Sequence, residues 1–378
     1  MDKKKSILLL ADFTGYGGTK SYFLLLSDYL IKKQKPLKVI LASREALTDQ
    51  EYRKLEIAGV KIKYLPGFLL SKKKIITRFR INKLFQFFYL FFAVNGPYEK
   101  VIVSTGHSFY FLTGAWIWGK KFYYIQHTYP QGSPSVFTKY ISGLRSGYYS
   151  RMAKRDFSFI TVSHESKRVI QDLIALSDSR FPVNVVYTPC MVSPAAPDPK
   201  DSNTIVTTGH LEKWKNPEFW LQVALSVAGQ IDEVNFVWAG TGSLMEEIRK
   251  KIPDALQSRI RLAGYVANVS ELLSSAAIYF QPSLVESQGI SVAEAMAHSL
   301  PCVVSNRGGL PEAVEDGVTG FVIDLDVEQA SQKLLYLIRN KEVAKRMGRA
   351  GYAKFEQEYS VSGWEKKMDQ LLFHQTEA

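Results

Sequence analysis

Cysteine is nearly absent: the 378 residues hold only Cys190 and Cys302, far apart and isolated. A disulfide framework and a cysteine-built metal site are thereby excluded, and a reducing compartment is expected. Long apolar runs are missing too, since nothing approaches the ~20 residues that a membrane-spanning helix needs. The apolar run at the start, residues 7–11 behind a lysine cluster, is stopped by Asp12. It is shorter than the apolar core of a signal peptide and reads instead as a first strand. A third lack is local: between Ile57 and Tyr98 there is no acidic residue.

What is present speaks for a folded α/β chain. Hydrophobic residues make up 46% and aromatic residues 13%, which excludes disorder, and the length allows two domains with cores of their own. Short apolar strands alternate with helical patterns, as parallel sheets with crossover helices require. The net charge of +12 is unevenly spread: residues 1–200 carry 31 Lys+Arg against 13 Asp+Glu, and the remainder 17 against 23. A basic first half suits a polyanionic partner, anionic lipid or nucleic acid, but no base-reading motif supports the second. In the acid-free stretch, Lys72, Lys73, Lys74, Arg78, Arg80 and Lys83 run into a helical pattern of Ile81, Leu84, Phe85, Phe88, Phe91 and Phe92. Residues 72–92 therefore read either as a segment lying on an anionic membrane surface or as core of the first domain.

The chemistry concentrates in residues 279–324. A short strand breaks at Pro282-Ser283, a loop carries Glu286, and a helix restarts at Gly289-Ile290 with Glu294 in its first turns. A loop that feeds a helix N-terminus offers unsatisfied N–H groups and a partial positive charge, which suits a diphosphate. A carboxylate placed like Glu294 can accept from both hydroxyls of a ribose diol. Two glutamates eight apart could equally be solvated acids of an amphipathic helix. Here they are followed by Glu-Ala-Met-Ala, by the buried run Pro301-Cys302-Val303-Val304, by Gly308-Gly309, by Glu315-Asp316-Gly317 and by Gly320-Phe321.

That string resembles the donor-binding signature of retaining glycosyltransferases of family 4, the E-x7-E enzymes. The resemblance implies the GT-B fold, an α/β arrangement of two Rossmann-like parallel-sheet domains facing a cleft. Residues 1–195 would form an acceptor-binding domain, completed by a C-terminal helix at about 360–378 that crosses back to it, and residues 196–359 the nucleotide-sugar domain. The proline-rich segment SPAAPDPKDSN between them reads as the linker. The family's positions fall on Gly17 and Gly18, facing the donor phosphate, and on His127, near the transferred sugar. Lys215 matches a diphosphate-gripping lysine, and Val266 a backbone contact to the base. Glu286 would hold the donor sugar, Glu294 the ribose, and the amides at Gly289 and Ile290 the diphosphate. Gly242 belongs to a second glycine turn at the donor. His127, Glu286 and Lys215 are the expected catalytic residues.

The chain departs from the family pattern twice. His210 stands where an arginine is usual, so a protonated imidazole, Lys213 or Arg307 would have to share the load. Thr188-Pro189-Cys190 stands where Asn-Gly is usual. His107, like His127, follows a strand and is placed to face a ligand. Asp324-Leu325-Asp326 spells a cation-binding pattern, but it opens a helix and is read as a cap. No metal or other cofactor is implied.

The expected activity is transfer of a hexosyl unit from a nucleotide-diphospho-sugar to a sugar hydroxyl, on a lipid-linked glycan of lipopolysaccharide, capsule or a related polysaccharide. The expected location is the cytoplasm, or the inner face of the cell membrane. A catalytically silent partner subunit that binds glycan or stabilises a sister transferase stays open because of His210. A sugar-nucleotide epimerase is disfavoured for want of acid/base carboxylates.

Overall fold

The computed structural model describes residues 6–13, 18–65, 98–105, 121–128, 157–175, 182–192 and 202–373. Gly17, His107 and the 72–92 stretch lie outside them, as does all of the proline-rich segment except Ser202 and Asn203. Tertiary contacts divide the chain into two units, one of Met1–Val162 with Ser166–Val185, the other of Ser163–Glu165 with Val186–Ala378. The C-terminal helix is thus grouped with the second unit.

Among the described residues the first unit has seven strands, β1 (Ser6–Asp12), β2 (Leu37–Leu41), β3 (Lys61–Tyr64), β4 (Tyr98–Thr105), β5 (Lys121–Gln126), β6 (Phe157–Thr161) and β7 (Val183–Val185). They pair in parallel in the order β3-β2-β1-β4-β5-β6-β7. Strand β1, apolar on both faces, sits among the central strands with Ile7, Leu8, Leu9 and Leu10 fully buried, as a sheet covered on both sides demands. Helix α1 (Gly18–Lys32) buries Tyr22, Phe23, Leu26 and Leu30. Helix α2 (Asp49–Ile57) starts with a reciprocal cap between Thr48 and Glu51. Strand β3 reads Lys-Ile-Lys-Tyr with no apolar run, because it is the half-exposed edge of the sheet. Helix α3 (His164–Ala175) follows β6.

The second unit holds β8 (Thr204–Thr208), β9 (Asn235–Ala239), β10 (Ile260–Gly264), β11 (Ile278–Gln281), β12 (Cys302–Ser305) and β13 (Gly320–Ile323), in the order β10-β9-β8-β11-β12-β13, all parallel. Its helices are α4 (Pro217–Ala228), α5 (Met245–Lys251), α6 (Val269–Ser274), α7 (Ile290–Met296), α8 (Leu310–Ala313), α9 (Val327–Arg339), α10 (Lys341–Lys354) and α11 (Val361–Leu372). Trp220 of α4 and Trp238 of β9 are fully buried and meet edge to face, ring centroids 5.3 Å apart. The seam of α11 runs Trp364, Met368, Leu372, a spacing of four throughout. Leu371 is only half-buried, because the helix meets the π-helical turn Phe355–Tyr359 along an i, i+4 ridge.

In both sheets the strand order reverses next to the first strand, between β1 and β4 and between β8 and β11. The crevice outside the carboxyl ends of the strands at such a reversal is where open α/β sheets hold ligands.

Candidate functional site

The loops that leave β8, β9 and β10 are stitched together by their backbones. Gly209 N donates to Ala239 O at 2.9 Å, Leu211 N to Thr241 O at 3.0 Å, and Gly240 N to Gly264 O at 2.7 Å. His210, Gly242 and Val266 are therefore brought to one end of the sheet. Gly242 is required by packing, since the Leu211 carbonyl occupies the space a Cβ would need. Glu212 accepts from Ser243 N at 2.8 Å and from Ser243 Oγ at 2.6 Å, bonds that hold its carboxyl below the usual value. His210 and Lys213 are exposed on this loop.

Lys215 ends a short 3-10 turn, Lys213–Lys215, and the left-handed Asn216 (φ 59°) then turns the chain into Pro217, the first residue of α4. The turn aims Lys215 at the loop after β11. Its Nζ lies 2.6 Å from Glu286 Oε2, with the side chains 13% and 19% exposed. Leu284 N donates to Trp214 O at 2.8 Å and Gly309 N to Glu286 O at 2.9 Å, so the loop is braced on both sides of the ion pair. The structure thus joins two of the three expected catalytic side chains.

Gly289 caps α7 at φ +88°, and a Cβ there would lie 2.7 Å from Leu310 Cδ2. Only glycine fits such a position without strain. Glu294 lies one turn along α7 and is half-buried. Burial raises its carboxyl to about 7, an effect that the positive charge of Lys215 partly opposes. Its own carbonyl accepts from Nδ1 of buried His298 at 2.7 Å, and His298 Nε2 lies 2.6 Å from Ser270 Oγ, which ties α7 to α6. His298, Gln281, Gln288 and Ser291 all serve this site and were not singled out by the sequence. Nothing in their spacing along the chain marks them; only the partners they meet in the fold do.

The unexpected Thr188 acquires a structural account. Its N donates to Gln288 Oε1 at 2.7 Å and its carbonyl accepts from Gln288 Nε2 at 2.8 Å, both buried. The clamp uses backbone atoms, so it does not demand the residue type the family prefers. Nearby, Glu312 accepts from the N–H groups of His164 and Glu165, each at 2.7 Å, and from Tyr187 OH at 3.1 Å. A carboxylate is favoured there by the unsatisfied amides of the α3 N-terminus.

In the first unit, Gly18 is the first residue of α1, after β1, and His127 follows β5. His127 Nε2 lies 2.9 Å from Ser104 Oγ at the end of β4, and its ring meets Tyr22 edge to face at 4.5 Å. Burial pushes the imidazole down to about 4, so it is neutral at physiological pH. Asp326 Oδ1 accepts from Gln329 N at 2.7 Å and so caps α9, and Gln329 Oε1 accepts from Asp324 N at 2.8 Å. Among the described residues no group of three His, Cys, Asp or Glu is placed to hold a metal ion. Nor is any helix among them long and apolar enough to cross a membrane.

Comparison with known proteins places this arrangement. Residues 193–354 match the model of the family described as glycosyl transferases group 1. Alpha-maltose-1-phosphate synthase of Mycobacterium tuberculosis is 31% identical over 134 residues, 32% of this chain and 35% of that protein. The UDP-Gal:alpha-D-GlcNAc-diphosphoundecaprenol alpha-1,3-galactosyltransferase of Escherichia coli is 28% identical over 131 residues, 34% of each. The matched stretches span about a third of the length of these relatives. The crystal structure of Anabaena HepE in complex with UDP aligns over 97% of this chain and 99% of that one, with a TM-score of 0.72 at 16% identity. The shared fold is that of two Rossmann-like parallel-sheet domains, GT-B. Over residues 193–354, less than half of its length, the chain is similar to the glycosyl transferases group 1.

Proposed function

We propose that this chain is a retaining glycosyltransferase of the E-x7-E type, which moves a hexosyl unit from a nucleotide-diphospho-sugar to a sugar hydroxyl. The observation that carries the reading is the Lys215–Glu286 pair at the strand-order reversal, with Glu294 beside it on a helix that opens at Gly289. The acceptor is a lipid-linked glycan of lipopolysaccharide, capsule or a related polysaccharide. Support for that class comes from the diphosphoundecaprenol-linked substrate named for the Escherichia coli relative and from the basic first half of the chain.

Transfer breaks the bond between the sugar's anomeric carbon and the β-phosphate oxygen, and the electron pair leaves with the diphosphate. The acceptor oxygen forms the new bond and its proton is released to the departing phosphate. Charge therefore builds on the leaving group, and fixed donors aimed at it lower the barrier. Lys215 and the amides at Gly289 and Ile290 are those donors. Glu286 orients the sugar, Glu294 accepts from the ribose diol, and neutral His127 contributes a hydrogen bond near the reacting carbon. Fixed cation and helix dipole take the part that a divalent ion plays elsewhere, so the reaction is proposed to need no metal.

The reading is tested by a thermal-shift screen of UDP-, GDP- and other nucleotide-diphospho-sugars, since a ligand at 100 times its Kd adds about 2.7 kcal/mol of stability. Glu294→Ala and Lys215→Ala should abolish the winner's shift. A flat screen, with no nucleotide release on any lipid-linked acceptor, would favour the catalytically silent partner subunit. Exposed His210 in the usual arginine position is the observation behind that second reading. On the transferase reading, His210→Arg raises kcat/KM, because a guanidinium is a permanent, bidentate phosphate ligand.

A further inference from the structure

Gln281, the last residue of β11, is 1% exposed and holds four polar partners. Its Nε2 donates to Glu286 Oε2 at 3.0 Å and to Ser283 Oγ at 3.2 Å. Its Oε1 accepts from Tyr279 OH at 2.9 Å and from Ser291 Oγ at 2.7 Å. The orientation of the amide is forced. An ionised carboxylate only accepts, so the NH2 group must face Glu286, and the oxygen is then turned to two hydroxyls that must both donate. Burial raises the Tyr279 phenol, so it stays protonated and remains a donor. With its proton committed to Gln281, Tyr279 accepts from Thr208 Oγ1 at 3.1 Å.

The result is a directed row of donors, Thr208 to Tyr279 to Gln281 to Glu286, drawn from the two strands that flank the strand-order reversal, β8 and β11. Ser291 joins it from the first turn of α7. Bonds in such a row polarise one another and strengthen the last of them. That last bond falls on the same carboxylate oxygen that Lys215 holds at 2.6 Å, so Glu286 Oε2 is fixed from two directions by two chemically different donors.

We propose that Gln281 is a positioning residue: it sets the Glu286 carboxylate for the sugar of a nucleotide-diphospho-sugar, so that recognition of the sugar can be separated from recognition of the nucleoside diphosphate. The inference rests on the transferase reading above. Methionine at this position keeps the volume but removes both ends of the amide. Glutamate would set a second carboxylate against Glu286, and one of the two would have to take up a proton.

The test is calorimetric titration of UDP, GDP, UDP-glucose and GDP-mannose into wild type, Gln281→Met and Ser291→Ala. With the pair that wild type binds best, Gln281→Met is expected to weaken the sugar conjugate about tenfold, the scale of one hydrogen bond to a charged group. The nucleoside diphosphate should stay within about twofold, because Lys215 and Glu294 are untouched. Ser291→Ala, at a half-buried hydroxyl, should move the same ratio in the same direction by less. In the Gln281→Met background, Glu286→Gln should cost little more, as expected for residues acting through one contact. Equal losses for conjugate and diphosphate, or no loss in either, overturn the inference and leave the transferase reading standing. If Gln281→Met does not fold, an unchanged ratio in Ser291→Ala overturns it. If wild type binds none of the four, the pair that the thermal-shift screen selects is titrated instead, and a wild type flat across that whole screen removes the transferase reading and this inference with it.

Discussion

Lys215 Nζ stands 2.6 Å from Glu286 Oε2, a contact between the loops that leave β8 and β11 on either side of the strand-order reversal. Each partner holds the other in place, and on the proposed transferase reading the ammonium is thereby positioned for a leaving diphosphate.

Lys215→Ala removes the cation and leaves Glu286 partly buried without it. Turnover is expected to fall by about 10²–10³, the scale seen when one donor to a developing negative charge is lost. Stability should shift by only about 1 kcal/mol, because neither side chain is fully buried. Steady-state nucleotide release and thermal melting check the two expectations separately, and a variant retaining full turnover would refute the assignment.

Glu294 gives the site a pH dependence. Its carboxyl titrates at about 7 because it is buried, and only the ionised form accepts from both hydroxyls of a diol. Donor affinity should therefore rise from pH 6 to pH 8. Stability runs the opposite way: the folded state binds a proton that the unfolded chain releases near the ordinary glutamate value of about 4.3, so this contribution is lost as pH rises through 7. Glu294→Gln should flatten both profiles, with melting and titration of the tightest-binding nucleotide across that range as the measurements.

Gly289→Ala forces an L-residue to φ +88° and brings a Cβ to 2.7 Å from Leu310 Cδ2. A cost of about 1–3 kcal/mol is expected from the backbone conformation alone. Because Gly289 opens α7, nucleotide affinity should fall along with the melting temperature.

Asp326→Ala should cost about 1 kcal/mol, the usual loss for an N-cap, and should leave transfer unchanged. Turnover should likewise survive EDTA. Activity that is lost with the chelator and restored by Mg²⁺ would show that the charge on the leaving group is managed differently.

Much of this was legible in the chain. Strand β1 was legible from the apolar run at residues 7–11, because a strand buried on both faces is a continuous apolar run bounded by turn residues. The edge strand β3 was not, since Lys-Ile-Lys-Tyr carries no such run and is a strand only because β2 pairs with it. Glu286, Glu294 and Lys215 could be singled out because their motif has fixed spacing, and that motif falls within the matched residues 193–354. Gln281 and Gln288 could not, because a lone glutamine looks the same in the sequence whether it is solvated or clamped.

The sequence by itself determined the alternation of strand and helix, the glycine turns after the strands and the residue types available for a donor site. These follow from local preferences and from hydrophobic period. Only the tertiary structure decided that Lys215, 71 positions away from Glu286 along the chain, meets it at 2.6 Å, and that Gln281 turns its amide to the same oxygen. Parallel sheets bring distant loops to one end, and the partner each side chain finds there is set by strand order and register rather than by its neighbours in the chain.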